Sequence, residues 1–343
     1  MRLLVRATNW VGDAVMSLPA LAALRRHFPD AHIAILARPW VAGLYRHEAF
    51  ADEIIPYQPG KLWQGWQDRR SAAASLGRMQ FDCAVLLQNA FDAALITWLA
   101  RIPRRIGYAR DGRGFLLTDP IPRPPKGSIP PHESFYYLEL IRRAGWLDAL
   151  PPAPLIRLEG AASARHAGLE RFHAEGIGKV IGVSPGAAYG TAKRWWPDRF
   201  AQAASRVASE LGAAVALFGS PPERDLCEQV AGLVRQSGIE TRNFAGQTSL
   251  EEYIERAAAC QVYLTNDSGA MHISSALGVP TVAIFGATNH ITTGPTGPLA
   301  RVIRRDVECS PCLLRHCPID HRCMAAVSSE MVADAALQLL QLK

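Results

Sequence analysis

The stretch Leu3-Leu4-Val5-Arg6-Ala7-Thr8-Asn9-Trp10-Val11-Gly12-Asp13 decides how the rest of the chain is read. Leu3 to Ala7 is a short apolar run of strand character, and Thr8 to Gly12 is where the chain turns. After Asp13 the apolar residues change to helical spacing, with Val15, Leu18, Leu21, Ala22 and Phe28 on one stripe. Arg25 and Arg26 fall near that helix's C-terminus, where solvent and the helix dipole both suit them. A strand that passes directly into a helix is the repeating unit of a parallel α/β sheet.

The same alternation continues in both directions of reading. In the first half further strands are predicted at His32 to Ala37, Glu53 to Tyr57 and Cys83 to Leu87. In the second half they fall at Lys179 to Ser184, Ala213 to Phe218, Gln261 to Thr265 and Pro280 to Phe285, with helices beginning near Pro197, Pro222, Ser249 and Ser268. Between the halves, Pro151, Pro152 and Pro154 suit neither element. The expected organisation is therefore a Rossmann-like domain over 1–150, a linker over 151–158, a second Rossmann-like domain over 159–327 and an amphipathic C-terminal helix over 328–343 that could cap either domain. The fold class is α/β, with two doubly wound parallel sheets facing across a cleft and ligands held beyond the carboxyl ends of the strands. The proline-rich stretch Pro120 to Pro131 reads as a mobile loop.

Composition narrows the setting. A chain of 343 residues is longer than one core usually supports, and its 49% hydrophobic content leaves enough to bury in two. No apolar run approaches the roughly 20 residues of a membrane span. No long apolar region leads to a small-residue cleavage site, so the protein is expected in the cytoplasm. Seven cysteines without an export signal fit reduced thiols better than a disulfide framework. A formal charge of +6 favours anionic partners without choosing among them.

Four places carry chemistry. Asp13 stands where a strand hands over to a helix, and reads either as a helix cap or as a base for a hydroxyl proton. Ser184 to Trp195 combines Gly186, Gly190, Thr191, Lys193 and Arg194 in a loop suited to phosphate oxygens, although it is not a Walker loop. Thr265-Asn266-Asp267-Ser268-Gly269-Ala270-Met271-His272 opens a helix whose N-terminus favours an anion, whereas His272 could equally be a satisfied core histidine. In Phe218 to Asp225, Glu223 could accept from two ribose hydroxyls or merely favour the helix dipole. Ala245 to Ser249 is a weaker candidate for an adenine pocket. No GxGxxG fingerprint follows the opening strand, which disfavours hydride chemistry.

Taken in order, three of these motifs resemble the ADP-heptose:lipopolysaccharide heptosyltransferases. The likeness rests on Asn9 to Asp13 with Leu18 to Leu21, on Pro185 to Ala187 with Tyr189, Gly190 and Ala192 to Trp195, and on Thr265 to Gly269 with Met271 and His272. It implies a GT-B fold and an inverting transfer of L-glycero-D-manno-heptose from ADP-heptose onto the first heptose of the lipopolysaccharide inner core. It further implies that no metal ion is required and no cofactor beyond the donor substrate. By the same likeness Asp13 is the base, Lys193 stabilises the departing ADP, and Thr191 is a further phosphate contact. Glu223 matches the ribose-binding carboxylate, and Asp267, Ser268, Gly269 and His272 match the heptose and diphosphate loop.

An anionic glycolipid acceptor would give the basic surplus a purpose, with Lys61, Arg104, Arg105, Arg110 and Arg113 as the expected acceptor-binding face and the membrane surface as a peripheral contact at the cytoplasmic side of the inner membrane. An ordinary solvated face is the plainer reading of those cations. Nucleic acid is not an expected partner, because the basic residues lack interleaved aromatics. Cys309, Cys312, Cys317 and Cys323 supply enough ligands for one structural zinc, against a default of reduced thiols in a loop. Two departures touch the site: Trp196 follows Trp195 where proline is expected, and Ala287 to His290 differs from the expected small-residue pattern. Alternatives are a GT-B transferase with another nucleotide-sugar, or a nucleotide-sugar epimerase or hydrolase.

Overall fold

The opening run forms β1 (Arg2–Arg6) in the computed structural model, which describes residues 1–153 and 156–342. It is followed by β2 (His32–Ala37), β3 (Glu53–Pro56), β4 (Cys83–Leu86), β5 (Arg104–Tyr108) and β6 (Asp119–Ile121). These six pair in the order β3-β2-β1-β4-β5-β6, every pair parallel. Leu3, Leu4 and Val5 are fully buried because helices cover both faces of a central parallel strand, which is why β1 reads as continuous rather than alternating.

A second sheet repeats the pattern with β7 (Val180–Ser184), β8 (Ala214–Leu217), β9 (Thr241–Asn243), β10 (Tyr263–Asn266), β11 (Thr281–Ile284) and β12 (Ala300–Ile303), in the order β12-β11-β10-β7-β8-β9. Each sheet thus reverses direction beside its own first strand, between β1 and β4 and between β7 and β10. Loops leaving the carboxyl ends there are splayed apart, which opens a crevice for a ligand.

The chain divides into two compact units, Met1–Pro154 and Leu155–Lys343. Of the stretch expected as a linker, residues 154 and 155 lie outside the described residues. The terminal helix, Ser329–Gln341, belongs to the second unit: Val332, Ala336 and Leu339 join the core of Val215, Leu217 and Val282, and Ser328 caps its start. Among the described residues no helix is long and apolar enough to cross a membrane.

The structure corrects three details. β5, β6, β9 and β12 were not among the predicted strands; Arg104, Arg105, Arg242 and Arg301 interrupt their apolar character, and β6 carries Pro120 at a sheet edge, where a missing N–H is tolerated. The proline-rich segment is therefore strand through Ile121 and loop only beyond it. The first helix starts before Asp13 rather than after it, as Val11–Met16, breaks at Ser17 and resumes as Leu18–His27 with Pro19 in its first turn.

Candidate active site

In the second unit, the loops after β7, β8 and β10 converge. Lys193 Nζ lies 2.6 Å from Asp267 Oδ2, which ties the loop after β7 to the loop after β10. Asp267 also accepts the hydroxyl of Thr288, so the segment Ala287 to His290 is drawn onto the same carboxylate. Thr191 begins a single helical turn, Thr191–Lys193, and its Oγ1 lies 3.0 Å from His316 Nδ1. Beyond Asp267, Ser268 is the N-cap of the helix Gly269–Ala276, with its Oγ 3.2 Å from Thr265 Oγ1. His272 is buried on that helix. The helix N-terminus brings unpaired N–H groups and positive dipole to the edge where Lys193 sits.

Glu223 takes the helix-start role that the sequence left open. Its Oε2 accepts from Ser220 N at 2.8 Å and Ser220 Oγ at 2.7 Å, closing a capping box. Its other oxygen reaches the loop after β7, where a Cβ at Gly186 would lie 2.1 Å from Glu223 Oε1. A larger residue at that position would have to displace the Glu223 carboxylate. Trp195 is core, with Nε1 donating to Val327 O at 3.1 Å, while Trp196 packs edge-on against His321.

In the first unit, Asp13 lies half-buried inside the first turn of Val11–Met16, and the N-cap position belongs to Trp10. The charge of Asp13 is felt by Glu133, the N-cap residue of Ser134–Arg143, whose carboxyl is held above the ordinary range first by burial and then by Asp13. Asn9, four residues earlier, is fixed from below: Arg6 Nη2 donates to its Oδ1 at 3.0 Å and Arg38 Nε at 3.3 Å. Arg6 also donates to Ala7 O at 2.6 Å. Its guanidinium is almost fully buried, and desolvation, helped by Arg38, lowers its pKa to about 10.

The expected basic face does not form as one group. Arg104 and Arg105 open β5, at the amino edge of the sheet and opposite the edge where Asp13 emerges; Arg104 pairs with Asp119 at 3.0 Å and Arg105 Nε donates to Leu116 O at 2.7 Å. Arg113 is fully buried and donates to Tyr108 O at 3.0 Å and to the Gln88 carbonyl, so it is a loop-holding residue. Lys61 is exposed and Arg110 partly so; both follow carboxyl ends of strands.

Cys309, Cys312 and Cys317 are half-buried, Cys323 is buried, and all four are free thiols. Burial raises Cys323, and the other three thiols add to the shift. Among the described residues no three His, Cys, Asp or Glu side chains are gathered as a metal-holding group.

Two positioning residues were not singled out from sequence. Asn266 is fully buried and bridges the loop after β7, donating to Pro185 O at 2.7 Å and accepting from Trp195 N at 3.1 Å. Arg6 plays the matching part in the first unit. Their signal was a strongly polar residue at the last position of a central strand, Asn266 ending β10 and Arg6 ending β1.

Doubly wound sheets of this order, with a cation and a helix N-terminus joined at the switch point of the second, define a GT-B glycosyltransferase. The family model for glycosyltransferase family 9 (heptosyltransferase) matches residues 69–322. Lipopolysaccharide heptosyltransferase 2 of Salmonella typhimurium is 33% identical over 309 residues, covering 89% of this chain and 88% of that protein. Lipooligosaccharide heptosyltransferase 2 of Campylobacter jejuni is 26% identical over 355 residues, 99% of each. The solved structure of E. coli ADP-heptose lps heptosyltransferase II superposes with a TM-score of 0.84 at 29% identity, over 100% of this chain and 99% of that one. The chain belongs to glycosyltransferase family 9, the heptosyltransferases.

Proposed function

We propose that this chain moves L-glycero-D-manno-heptose from ADP-heptose, with inversion, onto the first heptose of an anionic lipopolysaccharide inner core. The observation that carries the reading is the Lys193–Asp267 pair, set beside Thr191 and the N-terminus of Gly269–Ala276 at the switch point of the second sheet. A diphosphate leaving group needs positive charge already in place, and this is where the unit supplies it. In this scheme the first unit is the acceptor-binding domain and the second the ADP-sugar-binding domain. The Asp13 carboxylate accepts the proton of the acceptor hydroxyl as that oxygen bonds to the anomeric carbon. The anomeric bond to the diphosphate breaks, ADP departs with the electron pair, and Lys193 and the helix terminus meet its charge. Glu223 accepts from ribose hydroxyls through the oxygen its capping box leaves over, and Asp267, Ser268, Gly269 and His272 hold the heptose and diphosphate.

The acceptor side is supported by an aromatic rim. Trp10, Trp40, Trp63, Trp66, Phe91 and Phe115 are all exposed, and each follows the carboxyl end of one of β1 to β5, so parallel pairing sets them on one edge with Asp13. Lys61, Arg110, Arg123 and Lys126 share that edge. Indole rings beside cations suit a boundary between water and anionic lipid. We therefore assign this edge to the glycolipid and to peripheral contact with the cytoplasmic face of the inner membrane. The reading is tested by incubating the purified protein with ADP-heptose and a heptose-bearing lipid acceptor, then reading product mass and linkage. An acceptor whose mass does not rise by one heptose overturns it.

A further inference from the structure

Between β12 and the short helix Arg322–Ala325 the chain runs as a cysteine-rich strap across the second unit's site. It is anchored at both ends of its crossing. On one side Leu313 N donates to Ala287 O at 2.8 Å and Ser310 Oγ to Gly286 O at 2.6 Å, in the loop after β11. On the other side Ala192 N donates to Arg315 O at 3.0 Å and Tyr189 OH to Leu313 O at 2.9 Å, in the loop after β7. The fit is close enough that a Cβ at Gly190 would stand 2.2 Å from Arg315 O. The strap's main chain therefore defines one wall of the loop that carries Thr191 and Lys193.

This wall adds a further cation to those the loop itself carries, Lys193 and Arg194. Lys193 Nζ lies 4.9 Å from the Tyr189 ring centroid, and the Arg315 guanidinium carbon lies 5.3 Å from the same centroid. Both cations thus lie close to a single half-exposed ring. The charge of Lys193 is balanced by Asp267. Arg315 is exposed, and among the described residues no carboxylate stands within ion-pair distance of it. A ligand carrying two phosphates at Tyr189 would meet both the paired Lys193 ammonium and an uncompensated guanidinium. Guanidinium groups pair bidentately with phosphate oxygens, which a balanced ammonium cannot do.

We propose that Arg315, delivered by the strap, is a binding residue for the diphosphate of a nucleoside diphosphate. This rests on the donor-site reading given above and adds a second cation to it. Because the strap is held through the Arg315 carbonyl, removing the side chain leaves those main-chain bonds available.

The test is calorimetric titration of the full chain with ADP, AMP and adenosine, for the parent, Arg315→Ala, Arg315→Lys and Lys193→Ala. Arg315→Ala is expected to weaken ADP about tenfold or more, the size of one charge-assisted contact, while adenosine binding stays at the parent value. Arg315→Lys should recover part of the loss, and the ADP affinity of Arg315→Ala should depend less on salt than the parent's. If Arg315→Ala binds ADP like the parent while Lys193→Ala does not, the inference is overturned and the donor-site reading stands. An equal loss for adenosine marks a structural role and also overturns it. A parent that does not bind ADP overturns both.

Discussion

Lys193 and Asp267 form an ion pair with Nζ and Oδ2 2.6 Å apart and only 14% and 5% of the two side chains exposed. This contact joins two loops from strands that are neighbours in the sheet but distant in sequence. Lys193→Ala strands a buried carboxylate and is expected to destabilise the second unit by about 3–5 kcal/mol, besides weakening donor binding. Removing both charges, as Lys193→Met with Asp267→Asn, should restore much of the stability and none of the transfer activity. Urea unfolding of the parent and the two variants checks this; a single variant as stable as the parent would show that the pair is not buried in solution.

Asp13→Asn keeps the side chain's size and hydrogen-bonding reach but cannot take a proton. If Asp13 is the base, kcat should fall by roughly 10²–10⁴-fold while ADP-heptose affinity hardly changes. The structure makes a pure capping role a weaker competitor, since Trp10 and not Asp13 occupies the N-cap position. Steady-state kinetics alongside donor titration decide the matter, and parental turnover in the variant would remove Asp13 from the mechanism.

Asn266 has no equivalent substitute. Its amide donates to Pro185 O and accepts from Trp195 N at once, which neither Asp nor Leu can reproduce. Asn266→Ala leaves two buried backbone groups unsatisfied, at a cost of about 1–3 kcal/mol each, and should loosen the loop holding Lys193. We expect a lower urea midpoint together with a raised KM for the donor. A variant with a lowered midpoint but parental KM would mean that Asn266 serves folding alone.

How much of this was legible in the sequence follows from where each residue sits. Central strands such as β1, β2 and β7 announce themselves because burial on both faces demands unbroken apolar runs. β6 and β9 are three-residue edge strands, and their residues are chosen for solubility and against mispairing rather than for burial. The loops around Lys193 and Asp267 were legible as turns rich in glycine, hydroxyl and charged residues after buried strands, and the structure brings the two residues together. Arg6 and Asn266 show in the sequence only as polar residues ending central strands, because the partners they hold lie in other loops and a strand pattern does not name them. Arg104 and Arg113 misled for the complementary reason: charge in a sequence does not say which sheet edge, or which interior, a side chain faces.

Glu133 offers a pH test in the first unit. Burial, and after it the charge of Asp13, hold its carboxyl above the ordinary glutamate range. A carboxyl with a raised folded-state pKa keeps a proton that the unfolded chain has already released. Stability is therefore lost as pH rises from the ordinary value through the raised one, and stays lower above it. Glu133→Gln should be more stable than the parent at neutral pH and lose that advantage in acid below the ordinary carboxylate range. Urea midpoints measured across that interval check the sign, and parallel curves for the two proteins would refute it.

The aromatic rim makes the last claim. Phe91 and Phe115 meet with ring centroids 6.2 Å apart, and Trp40 Nε1 donates to Asn9 O at 2.9 Å, so these exposed rings are held by contacts with neighbouring loops. Exposed aromatics so fixed gain little by folding inward, and their exposure has to be justified by something outside the chain. If that something is an anionic lipid surface, the parent should float with vesicles containing anionic lipid and much less with zwitterionic ones, and its tryptophan emission should shift to the blue on binding. Trp63→Ser with Phe115→Ser is expected to lose flotation without losing thermal stability, because Trp63 and Phe115 keep 72% and 77% of their surface exposed in the folded protein. Lys61→Ser should weaken flotation in a salt-dependent way, whereas the aromatic loss should persist at high salt. Transfer to a soluble acceptor stripped of its acyl chains should be unaffected in the aromatic variant, and transfer to vesicle-bound acceptor should show a raised KM. Equal KM values on the two acceptors would assign the rim to some other contact.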